Sequence, residues 1–464
     1  MHSVVVIGAG PAGISAAGAL IDHGVHPVVI DEAPRPGGQA YRSAAPNVEL
    51  DMARLLGSEF AKYRRIHASA ERLRERADYR PLTTAWGLHE GELYTHGPSG
   101  TASIRFDALI LATGATDRIF PAAGWTRPGV FTLGAAQVLL KDQGHLIGRK
   151  VVFCGSSPLL YLAALQYHLA GAEVVAVLDT TCFSDKVMAV PKLASNPTTL
   201  WRGLSYMRAL RGAGIRLEHG AELIELKAAN GEDDEQSGVG AVSFRDRNAK
   251  AETLECDAVA LGFGLRPEAQ LAALAECAFH YDSTYRQWFA TTDRDGRGRD
   301  NVYLAGDGAA IGGADAAEVS GRLAAFAALT DLELAAPSHE MARLRRRLAR
   351  LRRFQAGLAR AFSWPGAGAG AVNDTTVVCR CENVTAGDIR RTVTSEFGPP
   401  EINRIKALTR CGMGRCQGRF CEPAAAEIAA SRLRQPLQNI GRLRGQAPVK
   451  PLPVSAAFEV KQPS

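Results

Sequence analysis

VVVIGAGPAGISAAGALIDHGVHPVVIDE, residues 4–32, decides how the front of this 464-residue chain folds. Val4–Ile7 is an apolar run of strand length. Gly8, Gly10 and Gly13 then supply G-x-G-x-x-G at the mouth of an Ala-rich helical pattern that opens with Pro11 and Ala12. A second apolar run, Val28–Ile30, ends in Asp31-Glu32. Strand, glycine turn, helix, strand and acid, in that order, make a dinucleotide-binding βαβ unit. Gly8 permits the tight turn, Gly10 lets the backbone approach a pyrophosphate, and Gly13 lets the helix pack close to the strand. The free N–H groups and dipole at the helix start favour an anion there. One of the two acids should accept hydrogen bonds from the adenosine ribose. Glu32 is favoured, with Asp31 as the alternate.

Working outward, Gly37-Gly38-Gln39 follows the acids at a short interval. The buried-strand pattern of residues 104–112 ends at Ala112-Thr113-Gly114, and a much later strand pattern, residues 301–305, ends at Gly306-Asp307. This set resembles the two-dinucleotide-domain flavoproteins similar to glutathione and thioredoxin reductases, over roughly residues 1–330. The resemblance implies FAD, with Asp307 on its ribityl or pyrophosphate end and a backbone contact to adenine from Thr84-Ala85-Trp86, centred on Ala85. Those reductases need a redox cysteine pair, and residues 37–42 hold no cysteine. Disulfide reduction is set aside.

A second βαβ pattern, VVFCGSSPLLYLAALQYHLAGAEVVAVLD, spans residues 151–179. Gly155 keeps the first glycine position, but Ser157 and Leu160 occupy the other two. A Ser side chain hinders approach to a pyrophosphate, and Leu pushes the helix off the strand. Asp179 could still hold a ribose. The favoured expectation is a retained fold whose ligand is lost or altered, an adenine nucleotide alone being one form of it. NADH and NADPH are then poor reductants.

Near the other end, residues 377–423 read VVCRCENVTAGDIRRTVTSEFGPPEINRIKALTRCGMGRCQGRFCEP. Five of the nine cysteines crowd here, while Cys154, Cys182, Cys256 and Cys277 stand alone. Clustered cysteines in a chain of this size read as metal ligands rather than a disulfide framework. A C-x-C pair presents two thiolates from one loop, and a second pair completes four-thiolate ligation of two irons. The C-x-C half fits zinc poorly, since zinc sites use wider spacing. The block resembles the bacterioferritin-associated-ferredoxin-like [2Fe–2S] domain, over about residues 375–425. In that family a small residue and Gly-x-Gly precede the third ligand, which implies Cys379, Cys381, Cys416 and Cys421 as ligands and Cys411 as a bystander. A set using Cys411 and Cys416 has equally good spacing.

Composition excludes less than the motifs do. Hydrophobic residues make up 46% and charged residues 22%, with a formal net charge of +6, which suits a globular α/β enzyme. No apolar run reaches the ~20 residues of a bilayer span, and no signal-peptide pattern opens the chain. The expectation is a cytoplasmic protein, with the inner face of a membrane as an alternative setting. Much of the basic excess lies in Arg343–Arg360, where Met341, Leu344, Leu348, Leu351 and Leu358 recur at helical spacing. An Arg-faced helix bridging two domains explains this stretch without a nucleic-acid partner, for which no other signature exists. Asn230–Gly240 reads as a polar surface loop and Trp364–Val372 as a Gly/Ala/Pro linker. The histidines are scattered, and no Ser–His–Asp, Cys–His or paired-carboxylate constellation appears, so catalytic residues are left unassigned.

The phrases RPGVFTLGAAQ, GSSPLL, AEVSGRLAA and TRCGMGRCQGRFC extend the resemblance to the whole chain. It resembles the alpha subunits of opine oxidases, hydroxyproline and proline dehydrogenases, and hydrogen cyanide synthase. That resemblance implies an oxidoreductase subunit acting on CH–NH donors. It also implies an amine-oxidase-type flavoprotein beta subunit as partner, and allows for a small ferredoxin-like subunit and an FMN at a subunit interface. The expected fold is α/β: two Rossmann-like domains of the glutathione/thioredoxin reductase type plus a small C-terminal [2Fe–2S]-binding domain. The expected boundaries are residues 1–120 with 285–335 for the FAD-binding domain, 121–284 for the degenerate NAD(P)-binding-like domain, 336–374 for the Arg-rich helix and linker, 375–430 for the cluster domain and 431–464 for a tail.

Overall fold

Val4–Ile7 is buried at every position rather than at alternate ones, as a parallel strand covered on both faces must be. It lies between Val28–Ile30 and Ala108–Leu111. The sheet runs Arg297–Arg299, Val302–Leu304, Ala108–Leu111, Val4–Ile7, Val28–Ile30, Asp78–Arg80, parallel except at its first edge strand. Helix Pro11–Asp22 packs against helix Gly313–Asp331, so closely that a Cβ on Gly321 would stand 2.1 Å from the Ala12 carbonyl oxygen. The computed structural model describes residues 2–231, 237–396 and 398–457.

The second unit repeats the design. Five parallel strands run in the order Arg216–His219, Glu173–Asp179, Lys150–Gly155, Ala258–Gly262, Val130–Thr132. The chain leaves the first unit through Ala115–Asp117 and returns through Leu265–Pro267, which pair with each other. Leu271, Ala272, Ala275 and Cys277 then pack with Val5 and Ile7. The return to the first unit therefore comes before residue 271 rather than at residue 285, because these side chains complete the face of the first sheet. Of the Asn230–Gly240 loop, residues 232–236 lie outside the described residues.

The Arg-rich stretch forms helix Ser338–Ala361. Met341, Leu344, Leu348 and Leu351 enter the first core, whereas Phe354 and Ala361 join Ala189 and Leu193 of the second unit. The helix bridges the two units, and Arg345 grips the buried Asp295 carboxylate through Nε and Nη2 at 2.6 and 2.7 Å. The expected linker is not slack. Trp364 is buried, its Nε1 donating to Glu427 at 3.1 Å, and Gly366–Ala371 is a short helix. Gly366 and Gly370 let that helix lie against Glu427 and Ser431 of helix Glu422–Leu433. The cysteine module has its own core, built from helices Ala386–Val393, Ile402–Thr409 and Glu422–Leu433. Among the described residues, no helix is long and apolar enough to cross a membrane.

Candidate functional site: two nucleotide folds and a thiol cluster

The first glycine turn has no room for side chains where the sequence requires none. Gly8 has φ +103°, and a Cβ there would stand 2.3 Å from the Ala112 carbonyl oxygen. A Cβ on Gly13 would stand 1.7 Å from the Gly8 oxygen. At Gly10 only the Gly38 Cα comes near, at 3.6 Å, so the approach to its backbone stays open. No side chain caps the helix that starts at Pro11, and its first turn holds no acid. Its leading N–H groups are left for an outside acceptor. Gly37 donates its N–H to the Ala9 carbonyl at 2.8 Å, which brings Gly38 over Gly10 and leaves Gln39 at the exposed rim.

The two acids divide their work. Asp31 accepts N–H groups from Ala9 at 2.5 Å and Ala33 at 2.6 Å, so it braces the turn. Glu32 is exposed and meets Lys450 at 3.0 Å. Across the sheet, Gly308 abuts Thr113 and Gly114, and Gly306 abuts Ala12. Asp307 accepts the N–H groups of Gly312 and Gly313 through one carboxylate oxygen, at 2.8 and 2.9 Å. Gly8, Gly10, Pro11, Ala12, Gly13, Gly38, Ala112, Thr113, Gly114, Gly306 and Asp307 thus converge on one crevice. Ala85 is buried among Ile7 and Ile30, and the carbonyl of its neighbour Trp86 accepts the N–H of Val449 at 2.9 Å. An uncapped helix start, a turn open only at Gly10 and an exposed acid at the second strand's end fit a dinucleotide of the FAD kind.

The second unit engages its corresponding residues from within. Leu160 is fully buried and presses on Gly262, as its replacement of glycine forecasts. Ser157 is buried, its hydroxyl accepting the Leu159 N–H at 3.3 Å. Asp179 has no free lone-pair direction for a ribose. One oxygen takes the Thr181 N–H and hydroxyl at 2.9 and 2.5 Å, and the other takes Tyr161 and Lys186, both at 2.5 Å. Burial pushes this carboxyl up, but His219 and Lys186 outweigh it and hold the group down at about 2. Phe362–Trp364 covers the same strand ends: Lys186 sits 5.5 Å over the Phe362 ring, and Trp364 meets Phe120 and Phe263, each at 6.3 Å between rings. Ligands of α/β sheets enter at the carboxyl ends of the strands. Here Ser157, Leu160 and Asp179 are engaged by the chain's own groups.

All five C-terminal cysteines meet. The sulfurs of Cys379, Cys411 and Cys421 lie within 4.8 Å of one another, all three buried. Cys416, half-buried, interacts with Cys381, which is exposed, and with Cys421. The Cys411 thiol, expected as a bystander, lies beside the expected ligands Cys379 and Cys421. Backbone N–H groups of Gly412 and Glu382 point at Cys379, and those of Gly418 and Phe420 at Cys416. Such donors stabilise thiolates bound to iron.

The cysteine loop is docked onto the first crevice, which no local pattern announced. Arg419 and Glu268, each about 9% exposed, form a two-pronged pair at 2.5 and 2.9 Å. The Glu268 N–H donates to the Gly114 carbonyl at 2.9 Å, and the Thr113 hydroxyl donates to the Glu268 carbonyl at 2.5 Å. Arg419 also donates to the Cys416 carbonyl at 3.2 Å and the Val449 carbonyl at 2.9 Å. Arg266 grips the Gly418 and Arg419 carbonyls and the Glu422 carboxylate. Glu268, Val449 and Lys450 lie in no motif, and Arg419, although inside the cysteine phrase, pairs with Glu268 151 residues away.

Comparison with known proteins agrees with this anatomy. Residues 2–327 match the pyridine nucleotide-disulphide oxidoreductase family, and residues 377–431 match the BFD-like [2Fe-2S] binding domain. The chain is 36% identical to an opine oxidase subunit from Agrobacterium tumefaciens, over 97% of this chain and 90% of that one. It is 34% identical to the hydrogen cyanide synthase subunit HcnB of Pseudomonas aeruginosa, over 97% of each. Its fold is similar to L-proline dehydrogenase from P. horikoshii, with a TM-score of 0.71, 19% identity, and coverage of 98% of this chain and 79% of that one. Thioredoxin reductase of T. acidophilum matches 72% of the chain with a TM-score of 0.51 at 20% identity, covering 99% of that structure. This chain belongs to the pyridine nucleotide-disulphide oxidoreductase family, as an oxidoreductase that binds FAD in its first unit and a [2Fe–2S] cluster in its last.

Proposed function

We propose that this chain is the electron-transfer subunit of a heteromeric dehydrogenase or oxidase acting on an amine or imino acid of the opine, proline/hydroxyproline or glycine type. A flavoprotein partner subunit of the amine-oxidase type binds and oxidises that substrate, and this chain relays the electrons to a dye or respiratory acceptor. FAD accepts electrons in pairs and a [2Fe–2S] cluster passes them singly, so a chain holding both converts one mode into the other. Gly8, Gly10, Gly13, Glu32 and Asp307 hold the flavin nucleotide, and the thiols of the C-terminal module hold the cluster.

The observation that carries this reading is the buried Glu268–Arg419 pair, which fixes the cysteine loop against Thr113 and Gly114 of the flavin crevice. Ser157, Leu160 and the fully engaged Asp179 of the second unit support it, because each disfavours a pyridine nucleotide there. Exposed large apolar side chains on two helices, Phe183, Val187 and Met188 on Phe183–Leu193 and Trp201 and Leu204 on Pro197–Gly212, fit a chain that works beside another subunit.

The test is anaerobic reduction of the purified holoprotein. NADH and NADPH should leave the flavin absorbance near 450 nm unchanged for minutes. In the complex with the co-purified flavoprotein subunit, that subunit's amine substrate should bleach it within seconds. Rapid bleaching of the isolated chain by NADPH would establish the rival activity, a self-sufficient NAD(P)H-dependent reductase of a protein acceptor.

A further inference from the structure

Five thiols compete for four ligand places. Cys379, Cys411 and Cys421 lie together inside, Cys381 is exposed, and Cys416, half-buried, bridges them by contacting both Cys381 and Cys421. Two thiolates on one tetrahedral metal with ~2.3 Å bonds stand about 3.8 Å apart. The inner three lie within 4.8 Å of one another, so either Cys411 or Cys421 reaches such a spacing from Cys379 by a small side-chain adjustment.

This meeting is built into the loop. Gly412 and Gly418 both have positive φ, +92° and +80°, and a Cβ on either would strike Leu443 Cδ1, at 2.7 and 2.4 Å. The two glycines therefore pack together under Leu443 and fold residues 411–421 back on themselves. Cys411 directly follows Arg410, the left-handed cap of helix Ile402–Thr409, and Cys421 caps helix Glu422–Leu433. Both residues are therefore placed by helix ends, on either side of the folded loop.

Resting on the [2Fe–2S] reading of this module, we propose that Cys411 and Cys421 are exchangeable ligands. Cys379, Cys381 and Cys416 are the constant ligands, and the last place is filled by either Cys411 or Cys421. The thiol not in use stays buried beside the cluster as a small apolar side chain.

The holoprotein, Cys411→Ala, Cys421→Ala and the double variant, all purified anaerobically, test this by iron and sulfide content and by the EPR spectrum after dithionite reduction. Flavin content reports whether each variant folds. Each single variant is expected to keep at least about half of the wild-type iron, and the double variant to lose roughly nine-tenths of it with flavin retained. The wild type should show two overlapping cluster signals, of which Cys411→Ala removes one. Loss of the cluster in either single variant with flavin retained overturns the proposal, as does a cluster that survives in the double variant. If a variant fails to fold, the wild-type spectrum decides: one signal means one fixed ligand set and overturns exchange. Absence of iron from the wild type would overturn the cluster reading itself, and the exchange with it.

Discussion

Gly13 shows how little space a single residue can have: a methyl group there would overlap the Gly8 carbonyl oxygen. Gly13→Ala must displace either the turn or the helix start, so flavin retention, read as the absorbance ratio at 450 and 280 nm, should fall by about tenfold or more. This requirement is legible in the sequence, because it follows from spacing along one short stretch. Asp179 is the opposite case. Its position invites a ribose, but Tyr161, Lys186 and His219 consume it, and nothing local in the sequence says that they meet. Its carboxyl, near 3.8 in an unfolded chain, is held at about 2 in the folded one, because His219 and Lys186 outweigh burial. A group with a depressed folded value stabilises the protein above its unfolded value and loses that effect as pH falls through its folded one. Asp179→Asn should cost on the order of 2 kcal/mol at pH 7, and the gap from wild type should narrow between pH 4 and pH 2. Denaturant melts of both proteins across that range check the sign.

The elements were legible where a period runs through them. The apolar spacing from Met341 to Leu358 foretells the bridging helix, although not that its first half serves one core and its second half another. Phe354 is the anchor at the second unit, packed with Ala189, Leu193 and Ala361. Phe354→Ala should cost roughly 3–5 kcal/mol, seen as a lower unfolding midpoint, whereas replacing the exposed Arg347 with Ala should change it by less than about 0.5 kcal/mol. Composition misleads at Gly366–Ala371, whose glycines and alanines suggest a flexible connection. Glycine is there because a neighbouring helix lies too close for anything larger, a fact that belongs to the packing and not to the segment itself. The early return to the first unit is hidden from the sequence for a similar reason. Residues 270–282 have no long apolar run, and only the sheet they cover reveals their allegiance.

At the scale of the molecule, Glu268 and Arg419 join two modules whose motifs are each readable alone but whose contact is not. Both charges are buried, so removing one leaves the other uncompensated. Glu268→Gln should cost about 3–5 kcal/mol at the junction, whereas replacing both residues with apolar ones of similar size should recover most of it. Differential melting, following flavin and cluster absorbance separately, should show the cluster module of Glu268→Gln coming loose first.

Lys450 reaches back to Glu32, and Val449 to Trp86. Lys450 is made 418 residues after Glu32, so this side of the first crevice gains its outer wall only after the cysteine loop has been synthesised. Until then the cradle is a bare ledge, so enclosure of the nucleotide is a late event in biosynthesis, tied to completion of the thiol-bearing module.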